Sequence, residues 1–172
     1  MGSNKQDSEF DAMKKLKKSL ALVVTACGRK KNSEPMPAWK LYKSPRIRAV
    51  HNRVQKYNFA HFAILSAKYG LIDADQIVSP YEQIMTNQQS KRLVLHILTK
   101  VRFYKCVIFF KGGARKEYFD CIREACKRAQ RVLIVLGYGN MGGINELSSV
   151  LDFIEEGELP DPNIKMNILR YP

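Results

Sequence analysis

Four apolar runs in this chain each stop at a turn of glycine or polar residues, and this repetition constrains the fold more than any other feature. The runs are Leu20–Ala26, Phe59–Leu65, Cys106–Phe110 and Val132–Leu136. Segments of helical periodicity separate them, and alternating strands and helices are typical of a parallel sheet. The turns after parallel strands share one edge, where open α/β sheets bind ligands. The sequence therefore predicts a ligand site at that edge.

The segments between the strands carry helix signals. Helices are predicted to begin at Ser44, Thr86, Ala114 and Gly142, with proline after Ser44 and a capping-box pattern from Thr86 to Gln89. Residues 32–43 and 72–85 are predicted to be long loops, and the alternation of Ile164, Met166 and Ile168 predicts a short edge strand. We expect a three-layer α/β/α sandwich with a mostly parallel sheet of four or five strands.

The length of 172 residues indicates one domain, which we place at residues 19–172 after a basic lead-in at 1–18 that is mobile or helical. No apolar stretch approaches the roughly 18 residues of a membrane span, and residues 1–18 lack the apolar core of a signal peptide. We therefore expect a cytoplasmic protein without a membrane partner. The sequence leaves the oligomeric state open.

The formal charge of +13 is distributed unevenly along the chain. It is +10 over residues 1–60, +7 over 61–131 and −4 over 132–172. A basic excess of this size attracts nucleotides, nucleic acids or other anions. We expect an anionic small molecule or nucleotide as the partner, with DNA or RNA as a further class. General solubility is the alternative explanation of the charge.

Cys27 lies in the turn Cys27–Lys31, beside Arg29, Lys30 and Lys31. Nearby cations raise the thiolate fraction of a cysteine, which makes Cys27 a candidate nucleophile or ligand contact. The alternative is a small residue at a strand end flanked by surface lysines. The four cysteines contain no CxxC pair, so no metal site and no other cofactor is predicted.

The segment Ser66–Leu71 follows the second run and contains Ser66, Lys68, Tyr69 and Gly70. Lysine pairs with phosphate as a point charge and, when desolvated, acts as a base or nucleophile. Tyr69 is placed to stack on a base. We interpret the segment as a ligand contact with Lys68 as a second catalytic candidate, and an ordinary polar turn closed by Gly70 is the alternative.

Two glycine-containing turns complete the predicted edge. Gly112 and Gly113 precede the Tyr118 helix, where free amides bind anions, or else they form only a tight turn. Residues Gly137–Gly142 match GxGxxG, but after the fourth strand and not the first. We interpret Gly142 as a backbone contact to an anion or ribose, in preference to a dinucleotide site.

Three blocks carry a family resemblance: Cys27–Lys31, Leu41–Ser44, and Leu65–Leu71 with Pro80-Tyr81 after it. They resemble an uncharacterised family of small bacterial, archaeal and viral α/β proteins loosely described as peroxide-stress-protein-like. A more distant similarity runs to the cysteine-bearing α/β domain of archaeosine synthase, which acts on a deazaguanine base in tRNA. That similarity implies correspondences at Cys27, Lys31 and Ser44, and loosely at His51. Here Ala26 replaces the proline of that domain, and a long loop follows Lys31.

Two functions remain open. The leading hypothesis is an enzyme acting on a nucleotide, nucleoside or modified base, free or within a nucleic acid. Its catalytic residues are Cys27 and Lys68, and its ligand contacts are Arg29, Lys31, Tyr42, Ser44, Ser66, Tyr69, Gly70, Tyr81, Gly112, Gly113 and Gly142. The alternative is a non-catalytic basic nucleic-acid-binding module that stacks bases on Trp39, Tyr42, Tyr57 and Tyr69. A third hypothesis is a protein that keeps this fold but has lost the catalytic activity.

Overall fold

The computed structural model describes residues 20–138, 143–156, 164 and 166–171, so the lead-in at 1–18 and the predicted contact Gly142 lie outside the described residues. A six-stranded sheet forms the centre, with strands β1 (Ala21–Ala26), β3 (Ala60–Ser66), β4 (Gly70–Asp73), β6 (Cys106–Phe110), β7 (Val132–Leu136) and β8 (Asn167–Leu169). Their order across the sheet is β4-β3-β1-β6-β7-β8. A separate antiparallel pair joins β2 (Met36–Pro37) to β5 (Ile77–Val78).

The four strands predicted from the apolar runs are parallel to one another. β1 pairs with β3 and with β6, and β6 pairs with β7. Near the ends of the strands, Ala26 is opposite Leu65 and Thr25 is opposite Phe110. The turns after all four strands therefore lie along one edge of the sheet, as predicted.

Helices cover both faces of the sheet and make the three predicted layers. They are α1 (Ala38–Leu41), α2 (Pro45–Val54), α3 (Asn87–Val101), α4 (Lys116–Ala129) and α5 (Ile144–Glu156). Side chains of α1, α2 and α5 share one buried core with Val23, Ile108 and Ile134. Side chains of α3 and α4 share the other with Val24, Phe109 and Val135. Successive strand residues point to opposite faces, which is why neighbours such as Val23 and Val24 belong to different cores.

The sheet is larger than predicted, with six strands instead of four or five, because β4 forms a hairpin with β3. Ser66 pairs with Gly70 and Leu65 with Leu71 in antiparallel register. Gly70 has a φ of +75°, and a Cβ there would lie 2.3 Å from the His96 ring. Ser66–Leu71 thus forms a tight hairpin, and β4 includes the first two residues of the loop that was predicted at 72–85.

Both predicted loops contain short regular elements. Residues 32–43 include β2 and the one-turn helix α1, and residues 72–85 include β5. These elements are too short to show a hydrophobic periodicity in the sequence, and β2 and β5 pair with each other in a sheet separate from the central one. The predicted edge strand near residue 168 is confirmed as β8, which is antiparallel to β7.

Two helix starts follow the predicted cap chemistry. Ser44 Oγ accepts from the amide of Ile47 at 3.3 Å, and Thr86 Oγ1 accepts from the amide of Gln89 at 3.1 Å. The Gln89 side chain does not return to Thr86, because its amide donates to the carbonyl of Ala67 at 2.8 Å. It ties α3 to the β3–β4 hairpin instead. Within the described ranges, no helix has both the length and the apolar character needed to cross a bilayer.

The core on the α3 and α4 side yields a matched stability prediction. Phe109 on β6 is fully buried, whereas Phe103 is 69% exposed. Phe109→Ala is expected to lower the free energy of unfolding by about 3–5 kcal/mol, because it removes a buried ring and leaves a cavity. Phe103→Ala is expected to change it by less than about 0.5 kcal/mol. Denaturant unfolding of the two variants measures both values, and equal losses would contradict the assigned burial.

Candidate functional site

A cavity of about 870 Å³ opens at the edge where β1 and β6 end. Its walls come from the turn after β1, the start of α2, the segment before α3 and the start of α4. The lining residues are Cys27, Gly28, Arg29, Lys31, Arg46, Glu82, Gln83, Ile84, Thr86, Gly113, Ala114, Arg115 and Tyr118. Four of them are cationic and one, Glu82, is acidic, so the cavity favours an anionic ligand. Its volume is in the range of small-molecule sites.

Cys27 contributes a thiol to this wall. Its amide donates to the carbonyl of Leu65 at 2.9 Å, which extends the pairing of β1 and β3 by one residue and holds the thiol at the sheet edge. The thiol is partly exposed, and its Sγ lies 3.2 Å from the hydroxyl of Tyr118 on α4. Burial, followed by the charge of Cys27, raises the pKa of Tyr118, so this phenol stays protonated and can donate to a thiolate.

Arg46 brings a partly buried guanidinium to the same wall. Its Nη2 donates to the carbonyl of Ala26 at 2.9 Å, while its Nε is buried without a partner among the described residues. Burial lowers the pKa of Arg46, and the charges of Cys27 and Tyr118 oppose that shift. Arg46 and Cys27 therefore share one wall of the cavity, and the guanidinium is held by the carbonyl that precedes the cysteine.

The position of Arg46 depends on Gly112 in the turn after β6. Gly112 has a φ of +52°, and a Cβ there would lie 2.6 Å from the Arg46 Cδ. The neighbouring Gly113 has no such constraint, since its Cβ would meet nothing within 4 Å. Gly112 therefore makes room for the guanidinium stem, and Gly113 leaves the cavity wall open.

The start of α4 adds a second source of positive potential. Its N-cap residue is Arg115, whose side chain makes no capping hydrogen bond. Unsatisfied amides at a helix start carry partial positive charge and bind anions. Because Gly113, Ala114 and Arg115 all line the cavity, this helix start borders the same space as Arg46 and Cys27.

Beside the cavity, three buried hydroxyls form a continuous chain. Ser66 Oγ donates to the hydroxyl of Tyr81 at 2.6 Å, and the hydroxyl of Tyr81 lies 2.6 Å from that of Tyr42. The Lys31 ammonium lies over the rings of both tyrosines, 4.5 Å from the centroid of Tyr81 and 5.7 Å from that of Tyr42. Burial raises the pKa of Tyr42 and of Tyr81, and the charge of Cys27 raises both further.

The structure brings some of the predicted site residues to the cavity and leaves others elsewhere. Cys27, Arg29, Lys31 and Gly113 line it, whereas the lining does not include Tyr42, Ser44, Ser66, Lys68, Tyr69, Gly70, Tyr81 or Gly112. Ser44 caps α2, and the exposed Lys68 has its ammonium 5.1 Å from the centroid of the Tyr69 ring. The expected sharing of one crevice by Cys27 and Lys68 is therefore not seen in the lining.

Two residues of the site were missed from the sequence as functional groups. By sequence, Arg46 is one of several cations on its helix and Tyr118 belongs to the apolar face of α4. Arg46 follows Pro45 in the first turn of α2, next to the strand-end edge, which was the available signal. No local pattern marks Tyr118, because its hydroxyl meets Cys27 across 91 residues.

The described part of the chain holds no cluster of three or more histidine, cysteine, aspartate or glutamate residues suited to a metal ion. His51 is buried, with its ring stacked on that of Trp39 at 4.2 Å between centroids. Burial lowers the pKa of His51. It does not line the cavity beside Cys27.

A family model described as a family of unknown function, DUF6884, matches residues 21–135. The match spans β1 to β7 except the last residue of β7, and so includes every residue that lines the cavity. No curated protein and no solved structure matches the chain.

The burial of the thiols predicts selective alkylation. Cys27 borders the cavity, whereas burial raises the pKa of Cys106 and Cys126 to about 12 and that of Cys121 to about 11. Since the thiolate is the reacting form, Cys27 should be alkylated at least about tenfold faster than the other three at neutral pH. Mass spectrometry of the native protein measures the rates, and denatured protein is the control. Equal labelling of Cys121 and Cys27 in the native protein would contradict the site.

The two glycines of the β6 turn form a second matched pair. Gly112→Ala is expected to destabilise the protein by about 1–2 kcal/mol, because alanine is strained at positive φ and displaces the Arg46 side chain. Gly113→Ala is expected to change the free energy of unfolding by less than about 0.5 kcal/mol. Denaturant unfolding measures both, and a neutral Gly112→Ala variant would show that Arg46 does not depend on this turn.

Proposed function

The chain belongs to DUF6884, a family of unknown function, and we propose that its cavity binds a nucleotide or nucleoside phosphate on which Cys27 acts as a nucleophile. One observation carries the proposal: the thiol of Cys27 lies 3.2 Å from the Tyr118 hydroxyl in the wall of a large cationic cavity, which it shares with Arg46, the donor to the carbonyl of the preceding residue. Reactive cysteines occur in electropositive, partly exposed surroundings of this kind.

The phosphate is assigned to the side of the cavity formed by Arg46, Arg115 and the start of α4. Guanidinium groups present paired donors that match phosphate oxygens, and both Arg46 and Arg115 line this side of the cavity. The helix start adds backbone amides, although the Glu117 carboxylate in its first turn accepts from one of them and lies 3.5 Å from the Arg115 guanidinium. Arg29 and Lys31 add charge from the turn after β1.

The base is assigned to the side formed by residues 82–86. Ile84 is 51% exposed although it lines the cavity, so it offers an apolar surface for a planar ring. Gln83 and Thr86 lie on either side of Ile84 in the sequence and carry donors and acceptors able to pair with a base edge. Ligand sites commonly combine apolar walls with a few polar groups of this kind.

The proposed chemistry is addition of the Cys27 sulfur to an electrophilic carbon of the base. A new S–C bond forms, the electrons of the C=N bond move to nitrogen, and the thiol proton ends on that nitrogen. Tyr118 is 3.2 Å from the sulfur and is the phenol placed to pass this proton. The exposed Lys68 is outside the lining, so the proposal assigns the nucleophile to Cys27 alone.

Binding is tested by thermal shift and calorimetry against nucleotides, nucleosides and deazaguanine precursors. Phosphorylated ligands should stabilise the protein more than the matching nucleosides. Arg46→Met should lower the affinity for phosphorylated ligands about tenfold or more, because it removes charge-assisted hydrogen bonds. Arg48→Met is the matched control, since Arg48 is exposed on the same helix and absent from the cavity wall.

Absence of stabilisation by every compound in the panel would contradict the proposal, and so would equal losses in the two arginine variants. Covalent capture is a separate readout. A ligand bearing an electrophilic carbon should add its mass to Cys27 in the native protein and leave Cys27→Ser unmodified.

A non-catalytic nucleic-acid-binding role is the second candidate, supported by the exposed cations Arg29, Lys30 and Lys116 near the cavity mouth. The stacking residues expected for that role are largely inaccessible. Tyr42 and Tyr57 are buried and Trp39 is stacked on His51, so of the four only Tyr69, at 38%, is exposed. Oligonucleotide binding that weakens steeply with salt and survives Cys27→Ser and Arg46→Met would favour this role.

A further inference from the structure

We propose that the sheet edge at which β3, β1, β6 and β7 end binds a single-stranded nucleic acid, whose bases stack on Tyr69 and Tyr138 on either side of the cavity. The inference deepens the proposed function, and it rests on that function only in placing one nucleotide of the strand beside Cys27. It follows from two exposed tyrosines at this edge, each of which has a lysine over its ring.

The first lysine–tyrosine pair lies in the turn between β3 and β4. Tyr69 is 38% exposed, and the ammonium of the exposed Lys68 lies 5.1 Å from the centroid of its ring. The amides of both residues donate to the buried Oγ of Ser66, at 3.1 and 3.2 Å, which fixes the shape of the turn. The Tyr69 ring also packs at nearly a right angle against Tyr81, the residue that precedes the cavity wall at 82–86. The pair therefore borders the cavity on its β3 side.

The second pair lies on the other side of the cavity, where β6 and β7 end. Tyr138 is 41% exposed, and the Lys111 ammonium lies 5.9 Å from the centroid of its ring. Gly137 has a φ of +78°, and a Cβ there would lie 3.0 Å from the amide nitrogen of Gly112. The two turns are thus in close contact, and Asn167 on β8 donates to the Tyr138 hydroxyl. These contacts hold the ring next to the turn after β6, which supplies part of the cavity wall.

The order of the strands sets the spacing of the two pairs. The strands run β3-β1-β6-β7 across this part of the sheet, so the turns after β1 and β6 lie between the two tyrosines. Neighbouring strands are about 4.8 Å apart, which places β3 and β7 about 14 Å from each other. Stacked nucleotides rise about 3.4 Å each along one strand, so this span matches about four stacked nucleotides, or fewer in an extended chain.

Exposed cations lie along the edge between the two tyrosines. Arg29 and Lys30, in the turn after β1, make no ion pair with a described residue. Arg115 adds a third cation, although Glu117 lies 3.5 Å from it, and Glu82 is the acidic residue of the cavity wall. Cations along a groove follow a phosphate backbone, and aromatic rings beside them stack bases of any sequence. A single nucleotide in the cavity would leave both rings unused, whereas neighbouring nucleotides of a strand would cover them.

The lysine over each ring is compatible with stacking. A cation–π contact at an exposed site is weak, and a lysine ammonium moves freely on its four-carbon stem. Lys68 and Lys111 can therefore turn to phosphates of the strand, which frees the ring beneath each of them for a base.

The test is fluorescence anisotropy of the full-length protein with a labelled oligothymidylate of about twelve nucleotides. An oligouridylate of the same length is the RNA arm, and the tighter of the two identifies the type of strand. Tyr69→Ala and Tyr138→Ala should each lower the affinity about tenfold, because each removes one stacking surface. Lys68→Met and Lys111→Met should each reduce the slope of log K against log[salt] by about one, because each removes a phosphate contact.

Phe103→Ala is the matched control. Phe103 is 69% exposed, and the Arg102 guanidinium lies 5.0 Å from the centroid of its ring, so it forms the same kind of pair. It precedes β6 and so lies at the opposite edge of the sheet, and its removal should leave the affinity unchanged. Thermal melts establish that each variant is folded. If Tyr69→Ala does not fold, the exposed Tyr138 decides the question.

Equal affinities of the Tyr138→Ala and Phe103→Ala variants for both strands would overturn the proposal. Equal binding of a duplex of the same length would overturn it too, since phosphate attraction alone would then explain the affinity. Mononucleotide binding that Arg46→Met abolishes, without tighter binding of either strand, would reject this inference and keep the proposed function. Strand binding that depends on both tyrosines and survives Arg46→Met would keep the stacking surface and reject the nucleotide site in the cavity.

Discussion

The parallel pairing of β1 with β3 on one side and β6 on the other is the constraint on which the rest of the structure depends. It brings residues 27, 67 and 111 to one edge although they are far apart in the sequence. The hydroxyl of Thr25 reinforces this edge by donating to the carbonyl of Phe110 at 2.8 Å. Because this contact is buried, it aligns the ends of two central strands at the point where the cavity begins.

Arg46 links that edge to the chemistry of the site. Its guanidinium donates to the last carbonyl of β1 and lies beside the first residue after the strand, which is Cys27. Burying a guanidinium is unfavourable unless its donors find partners. The Nη2 donates to the strand end, whereas the Nε is buried and has no partner among the described residues. The same side chain thus joins fold and candidate function.

Much of the architecture was predictable because strands buried on both faces read as continuous apolar runs. The runs ending at Phe110 and Leu136 match β6 and β7 residue for residue. β4 was missed because its four residues follow a turn that also looks like a functional motif. Ser66 and Gly70 are the residues that such a motif and a tight hairpin both require, so local sequence does not distinguish them.

Of the site, the sequence by itself determined the edge of the sheet where it lies and four of its lining residues, Cys27, Arg29, Lys31 and Gly113, because they occupy the turns after two of the strands. The tertiary structure alone decided which distant groups meet that thiol. Tyr118 on α4 reaches the thiol across 91 residues of sequence. Beside the cavity, hydrogen bonds between the hydroxyls of Ser66, Tyr81 and Tyr42 join three separate segments of the protein. The physical reason is that strand position is encoded in local apolar periodicity. Hydrogen bonds between hydroxyls, by contrast, depend on the packing of helices and turns onto the sheet, which no local pattern records.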